Sequence, residues 1–222
     1  MSDGPESYRP REEPMDEGDS GPTIQRPEAP PAPTFPIPPL FGKYPFEGVE
    51  VHDPGLAPYL YLHPSYAMHT EGRLSGRPFQ KNRMHLVERL ANSLMKGAKF
   101  TGKKSKAMTT IRRAFDELAA SAPTNPLQRL VDAVENAAPR EEVTRLQFGG
   151  ISVPRAVDAS PSRRVNVAIR NIALGAIQAS HKSTKAIHSC LANEIALAAK
   201  GDVTSFAVGR KEEVERVAQS AR

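Results

Sequence analysis

The sequence predicts a mainly α protein: a helical bundle with a projecting two-stranded β-ribbon and a disordered or extended N-terminal tail. Three observations lead there. From residue 84 onward, apolar residues recur at the three- and four-residue spacing of amphipathic helices. One stretch, EVTRLQFGGISVPRAV at about 142–157, alternates around Gly149-Gly150 instead. Finally, 11 of the 21 prolines fall within the first 39 residues, together with 8 acidic residues against three arginines.

The chain divides accordingly. Residues 1–39 are acidic, Pro-rich and poor in large apolar side chains, so they cannot bury enough surface to offset their chain entropy. Residues 40–83 hold seven of the thirteen Phe and Tyr residues, irregularly spaced among Gly and Pro, which predicts loops, short strands and single turns. Residues 84–222 form the helical domain. Leu86, Val87, Leu90, Ala91, Leu94 and Met95 mark a first helix, and Ala107, Ile111, Ala114, Phe115 and Leu118 a second. Asn125-Pro126 starts a third, with Leu127, Leu130, Val131 and Val134 on its buried side. In the alternating stretch a tight Gly-Gly turn sets Leu146, Phe148, Ile151 and Val153 on one face, with Arg145, Gln147 and Ser152 on the other. Such a ribbon is marginal alone, so its apolar face either folds back on the helices or meets something else. A fourth helix starts at Ser160-Pro161, where Ser is expected to accept a backbone N–H. A fifth runs from about Thr184 to Gly201, and a last one spans roughly 210–220. Helices this short need each other's faces, hence a bundle.

Charge and composition exclude several classes. No stretch approaches the roughly 20 apolar residues of a membrane span, so no membrane partner is expected. The N-terminus lacks the order of a signal peptide, and the one cysteine, Cys190, permits no internal disulfide; a cytoplasmic location is the simplest expectation. The six histidines show no metal-ligand spacing, Cys190 has no second thiol, and no catalytic constellation is present, so neither an enzyme nor a cofactor or metal is expected. Gly97, Gly102 and Lys103-Lys104 superficially match a phosphate loop, but the preceding strand and the terminal Ser or Thr are missing. The net charge of +5 hides a division into −5 over residues 1–39 and +10 over 40–222. The body therefore calls for an anionic partner or a large solvated surface.

The basic residues cluster at turns and helix ends. Arg73, Arg77, Lys81 and Arg83 lie in one loop, and Lys96, Lys99, Lys103, Lys104 and Lys106 in another with no acid among them. Arg163 and Arg164 sit in the first turn of the fourth helix, where the helix dipole favours a carboxylate and each cation costs roughly 0.3–1 kcal/mol if exposed. Arg163 and Arg170 share a stripe opposite Val165, Ile169 and Ile172. Beside a phosphate, the free N–H groups, the dipole and both arginines become favourable together. A folded RNA fits this pattern; a DNA-binding regulator would instead need a base-reading helix and, usually, a dimer.

The order of motifs is itself informative. Pro139-Arg140-Glu141-Glu142-Val143, Gly149-Gly150, Val153-Pro154, Val157-Asp158, Ser160-Pro161 and Arg163-Arg164 closely resemble the universal small-subunit ribosomal protein seven family. So do Val87-Glu88-Arg89-Leu90, Asn92-Ser93-Leu94-Met95, Gly102-Lys103-Lys104, Asn125-Pro126-Leu127 and the closing 211–218. Leu40-Phe41-Gly42-Lys43 and the short ribbon resemble its archaeal and eukaryotic branch. The resemblance implies a structural constituent of the small ribosomal subunit. It would bind the three-prime major domain of small-subunit rRNA and organise the subunit head beside neighbouring head proteins, near the messenger exit and the exit-site tRNA. Carried over by motif, rRNA contact falls on Lys103, Lys104, Arg140, Arg145, Arg163, Arg164 and Arg170. The ribbon tip, Phe148, Gly149, Gly150 and Ile151, would face the tRNA and messenger path. Charge alone adds Arg73, Arg77, Lys81 and Arg83.

Overall fold

The computed structural model describes residues 39–65, 67–97 and 100–222. The expected acidic tail, but for Pro39, and the residues Tyr66 and Lys99 lie outside the described part. Among the described residues six α-helices and one antiparallel ribbon follow in order: α1 (Leu86–Leu94), α2 (Lys104–Ser121), α3 (Pro126–Ala137), β1 (Glu141–Phe148), β2 (Ile151–Asp158), α4 (Pro161–Ser180), α5 (Ile187–Ala199) and α6 (Phe206–Ser220). Helix α5 packs against α2, α3 and α4. Its small residues Ala192 and Ala198 let those neighbours approach, and Cys190 is buried among them as an apolar side chain.

The apolar stripes read from the sequence are core. Leu86, Val87, Leu90, Ala91 and Leu94 of α1 and Ala107, Ile111, Ala114, Phe115 and Leu118 of α2 are buried, as are Leu127, Leu130, Val131 and Val134 of α3. Residues 40–83 contribute more to this core than irregular spacing suggests. Leu40, Tyr44, Leu56 and Leu60 are buried, and Phe41 and Tyr44 pack edge-on to Phe115 at 5.9 and 6.0 Å. The segment is strapped down by its backbone: Glu50 exchanges two hydrogen bonds with the Gln128 side chain, and Asp53 N–H donates to Glu135 Oε1 at 3.1 Å. Short 3-10 turns at Ala57–Tyr59 and Gln80–Arg83 complete it.

One helix cap and two helix starts differ from expectation. Ser160 occupies the N-cap of α4, but its hydroxyl makes no capping hydrogen bond, so the first-turn N–H groups remain available. Helix α5 begins at Ile187 rather than Thr184, because Lys182 takes a left-handed φ of 55° and Ser183 Oγ accepts from Lys185 N–H, holding a turn there. Helix α6 begins at Phe206, four residues early. Ser205 caps it, and the buried Glu194 carboxylate accepts from Ser205 Oγ at 2.7 Å and from Ala207 N–H at 2.9 Å. A carboxylate at a helix N-terminus is favoured by the dipole.

The ribbon extends one residue beyond expectation at each end and pairs Glu141 with Asp158 through Phe148 with Ile151. Gly149 and Gly150 take φ of 55° and 87°, the doubly left-handed turn that a two-residue hairpin requires. Its base leans on α6 and the C-terminus: Ala156 N–H donates to Ala221 O, Arg140 N–H donates to Glu215 Oε1 at 2.8 Å, and Arg222 pairs with Glu141. Its far end stands clear, with Ile151 69% exposed.

Candidate nucleic-acid interface

The basic residues fall into two groups, those with carboxylate partners and those without. Arg164 is the most enclosed of the first group. Its side chain is 13% exposed, and Nη2 donates to Asp53 Oδ2 at 2.8 Å. Burial alone would raise the Asp53 carboxyl, but Arg164, the Gly55 N–H and nearby Arg140 together bring it below its ordinary value. Arg163, exposed, pairs with Glu142 of β1. Two acids from outside the helix thus supply the negative charge that the first turn of α4 lacks in its own sequence.

Lys104 is likewise engaged. It bonds Glu88, whose side chain is 1% exposed and which also accepts from Thr70 N–H at 3.0 Å and Thr70 Oγ1 at 3.1 Å. Burial pushes Glu88 up, but these donors outweigh it and hold the carboxyl below its usual value. Lys104 therefore neutralises a buried charge that joins α1, α2 and the loop at Thr70. Arg73 donates to Thr70 O and lies 3.9 Å from Glu71, both exposed.

The second group forms the free positive surface. Among the described residues no ion pair engages Lys103, Arg140, Arg145, Arg77, Lys81, Arg83, Lys96 or Arg170, and all are exposed. Two of them, Lys96 and Arg170, lie within electrostatic reach of Lys81. Burial of its ammonium first, then the charges of Arg89, Lys96 and Arg170, hold Lys81 below the usual lysine value, even though the residue as a whole is exposed. Arg89 is 2% exposed, and among the described residues its guanidinium donates to Tyr59 O at 2.9 Å and Asn166 Oδ1 at 3.0 Å. Burial brings it down to about 10, so it remains charged at neutral pH. A buried guanidinium with no carboxylate partner among the described residues, near three surface cations, makes a strong local positive potential.

Residues 64–222 match the family model described as Ribosomal protein S7p/S5e. The chain belongs to this family. It is 56% identical over 183 residues to the small ribosomal subunit protein uS7 of Thermoplasma volcanium, covering 82% of this chain and 100% of that protein. Small ribosomal subunit protein uS7 of Archaeoglobus fulgidus is 51% identical, covering 82% of this chain and 94% of its own length, and that of Picrophilus torridus is 50% identical, covering 82% and 98%. The likeness is to the archaeal type. The family is a structural component of the ribosome and not an enzyme.

In this S7-family chain, the expected site residues are distributed over five places. Arg163, Arg164 and Arg140 gather where α4, the ribbon base and Asp53 meet. Lys103 and Lys104 open α2. Arg170 is near enough to Lys81 for its charge to act on it, whereas Arg73 and Arg77 lie on the exposed loop before Lys81. Arg145 is on the ribbon, opposite Pro154. Arg89 and Lys96 were not singled out as site residues by sequence. Arg89 had a signal: it is a full charge set between Leu86 and Leu90 on a helix whose other side chains on that face are core. No described helix is long and apolar enough to cross a membrane, and among the described residues no three His, Cys, Asp or Glu side chains converge for a metal.

Proposed function

We propose that the chain is a structural protein of the small ribosomal subunit in the cytoplasm, bound to the three-prime major domain of small-subunit rRNA and organising the subunit head beside neighbouring head proteins. The observation that carries this is the free positive surface, with Lys103, Arg140, Arg145, Lys81, Lys96 and Arg170 unpaired among the described residues on a family member of the small subunit. Exposed cations on several rigid elements suit a folded RNA, whose phosphates present themselves at many angles. Arg163 and Arg164 fit in a second role: each is held in place by an acid while the helix start beside them still offers N–H groups to a phosphate.

The exposed ribbon tip, at Gly149, Gly150 and Ile151 with Phe148 preceding, is the part that reaches toward the exit-site tRNA and the messenger path. Tethered hydroxyl-radical probing from Ile151→Cys in assembled subunits tests this. Native Cys190 is buried and leaves the new thiol as the accessible one. Cleavage of exit-site tRNA and of rRNA lining the messenger exit is expected; cleavage confined to other regions would place the tip elsewhere.

A further inference from the structure

One corner of the surface carries an aromatic ring with no packing role. Phe79 is 79% exposed, and its backbone takes φ 62°, a left-handed conformation unfavourable for a bulky side chain. It forms the N-cap of the turn Gln80–Arg83, where Asn82 N–H donates to Phe79 O at 3.0 Å and Met84 N–H to Lys81 O at 3.1 Å. That turn is pinned to the start of α4 by Ser162 Oγ donating to Asn82 Oδ1 at 3.1 Å. An exposed ring on a fixed turn in an unfavourable conformation points to function.

The cations beside it are placed by the same packing. Asn166, Arg170, Ala173 and Ile177 form one stripe of α4 at spacings of four, three and four residues. At one end Asn166 accepts from Arg89 of α1. At the other, Ile177 lies against Gly97 just past Lys96, where a Cβ would meet Ile177 Cδ1 at 2.9 Å. Arg170 therefore lies between the levels of Arg89 and Gly97, and its charge, with those of Arg89 and Lys96, reaches Lys81. Among the described residues the buried Arg89 Nε has no hydrogen-bond partner. Glu88, the adjacent acid, is committed to Lys104 and Thr70.

We propose that this corner binds one unpaired RNA nucleotide, its base stacked on the Phe79 ring and its phosphate held by Lys81, Lys96 and Arg170 above the buried charge of Arg89. The pairing of an open aromatic face with an adjacent cluster of cations is what single-stranded nucleic acid requires, because every base has a π-face and every linkage a phosphate. The strand's identity as rRNA rests on the function proposed above; the site itself does not.

The chain contains no tryptophan, so Phe79→Trp in the full-length protein creates a single reporter at the ring. Its fluorescence should be quenched by a three-prime major-domain rRNA fragment and by a short oligouridylate, but not by a fully paired duplex of matched charge. Phe79→Leu should weaken oligouridylate binding roughly ten-fold or more, and Lys81→Gln should weaken it and lower the salt slope by about 0.7. Both residues are exposed, so these variants should fold. Absence of quenching with unchanged affinity in Phe79→Leu, or equal quenching by oligoglutamate, would overturn the nucleotide site. Loss of the site with preference for the rRNA fragment intact would leave the ribosomal reading standing. Quenching by oligouridylate without that preference would do the reverse.

Discussion

Arg164 of α4 and Asp53 of the N-terminal segment lie 111 residues apart in sequence and 2.8 Å apart in space. Their pairing explains how the first turn of α4 tolerates two arginines. Asp53 is itself fixed by Glu135, which accepts its backbone N–H, and by its own bond to Gly55 N–H. The contact thus ties residues 40–83 to α3 and α4 at once.

Breaking that contact should destabilise the fold. Asp53→Asn or Arg164→Gln should each cost about 1–3 kcal/mol, between the values for exposed and buried ion pairs, because both groups are partly enclosed. Urea unfolding of the two single variants and the double variant would give the coupling. Arg163→Gln, whose partner Glu142 is reached across an exposed face, should change stability by less than about 1 kcal/mol. Weaker RNA binding by an Arg164 variant must therefore be read against its stability.

Lys103 and Lys104 should separate in the same way. Removing Lys104 leaves the Glu88 carboxylate, one of whose oxygens has no partner among the described residues, without its lysine. Lys104→Gln should cost on the order of 3 kcal/mol. Lys103→Gln should stay within about 0.5 kcal/mol and reduce RNA affinity alone. Thermal unfolding beside RNA titration distinguishes them.

Stability should fall in mild acid through His85. This residue caps α1 with Nδ1 accepting from Val87 N–H, packs edge-on to Phe46, and is buried. Burial lowers it from 6.5 to about 4 although Glu88 pulls the other way. Between those values the unfolded chain takes up a proton that the fold refuses, so stability rises with pH across the window and is lost as pH falls. The loss should be about 2 kcal/mol from about pH 7 to about pH 5, and His85→Asn, which keeps a capping acceptor, should remove it. Glu88 and Asp53, whose carboxyls are depressed, act in the same direction, with stability lost only below their unfolded values of about 4.5 and 3.8. Urea unfolding at stepped pH checks both windows.

Gly175 should be intolerant of alanine, although alanine ordinarily favours a helix by about 1 kcal/mol. A Cβ there would lie 2.9 Å from Glu194 Cδ and 3.0 Å from Phe206 Cβ. Glu194 cannot give way without releasing Ser205 and Ala207 at the start of α6. Gly175→Ala should destabilise by about 1–3 kcal/mol, read as a lower denaturation midpoint.

Much of this architecture was legible because it repeats or is local. The apolar stripes of α1, α2 and α3 fix which faces are core, and Gly149-Gly150 fixes the ribbon's turn and register. What could not be read depends on partners distant in sequence. Leu40, Leu56 and Leu60 follow no period, so their burial was hidden. The early start of α6 depends on Glu194, eleven residues before its cap, and the capping bond expected at Ser160 is absent. At the candidate interface, clustering of charge marked the right regions, but it could not divide anchored cations such as Arg164 and Lys104 from free ones such as Lys81 and Arg170. That division depends on where Asp53 and Glu88 arrive in space.

The most direct test of the central claim is a titration of the full-length protein against a three-prime major-domain rRNA fragment and an equally long unrelated folded RNA, across a series of salt concentrations. The account predicts a strong preference for the rRNA fragment that survives rising salt, with each phosphate contact adding roughly 0.7–0.9 to the log–log slope. Equal affinity for both RNAs, collapsing together as salt rises, would contradict it.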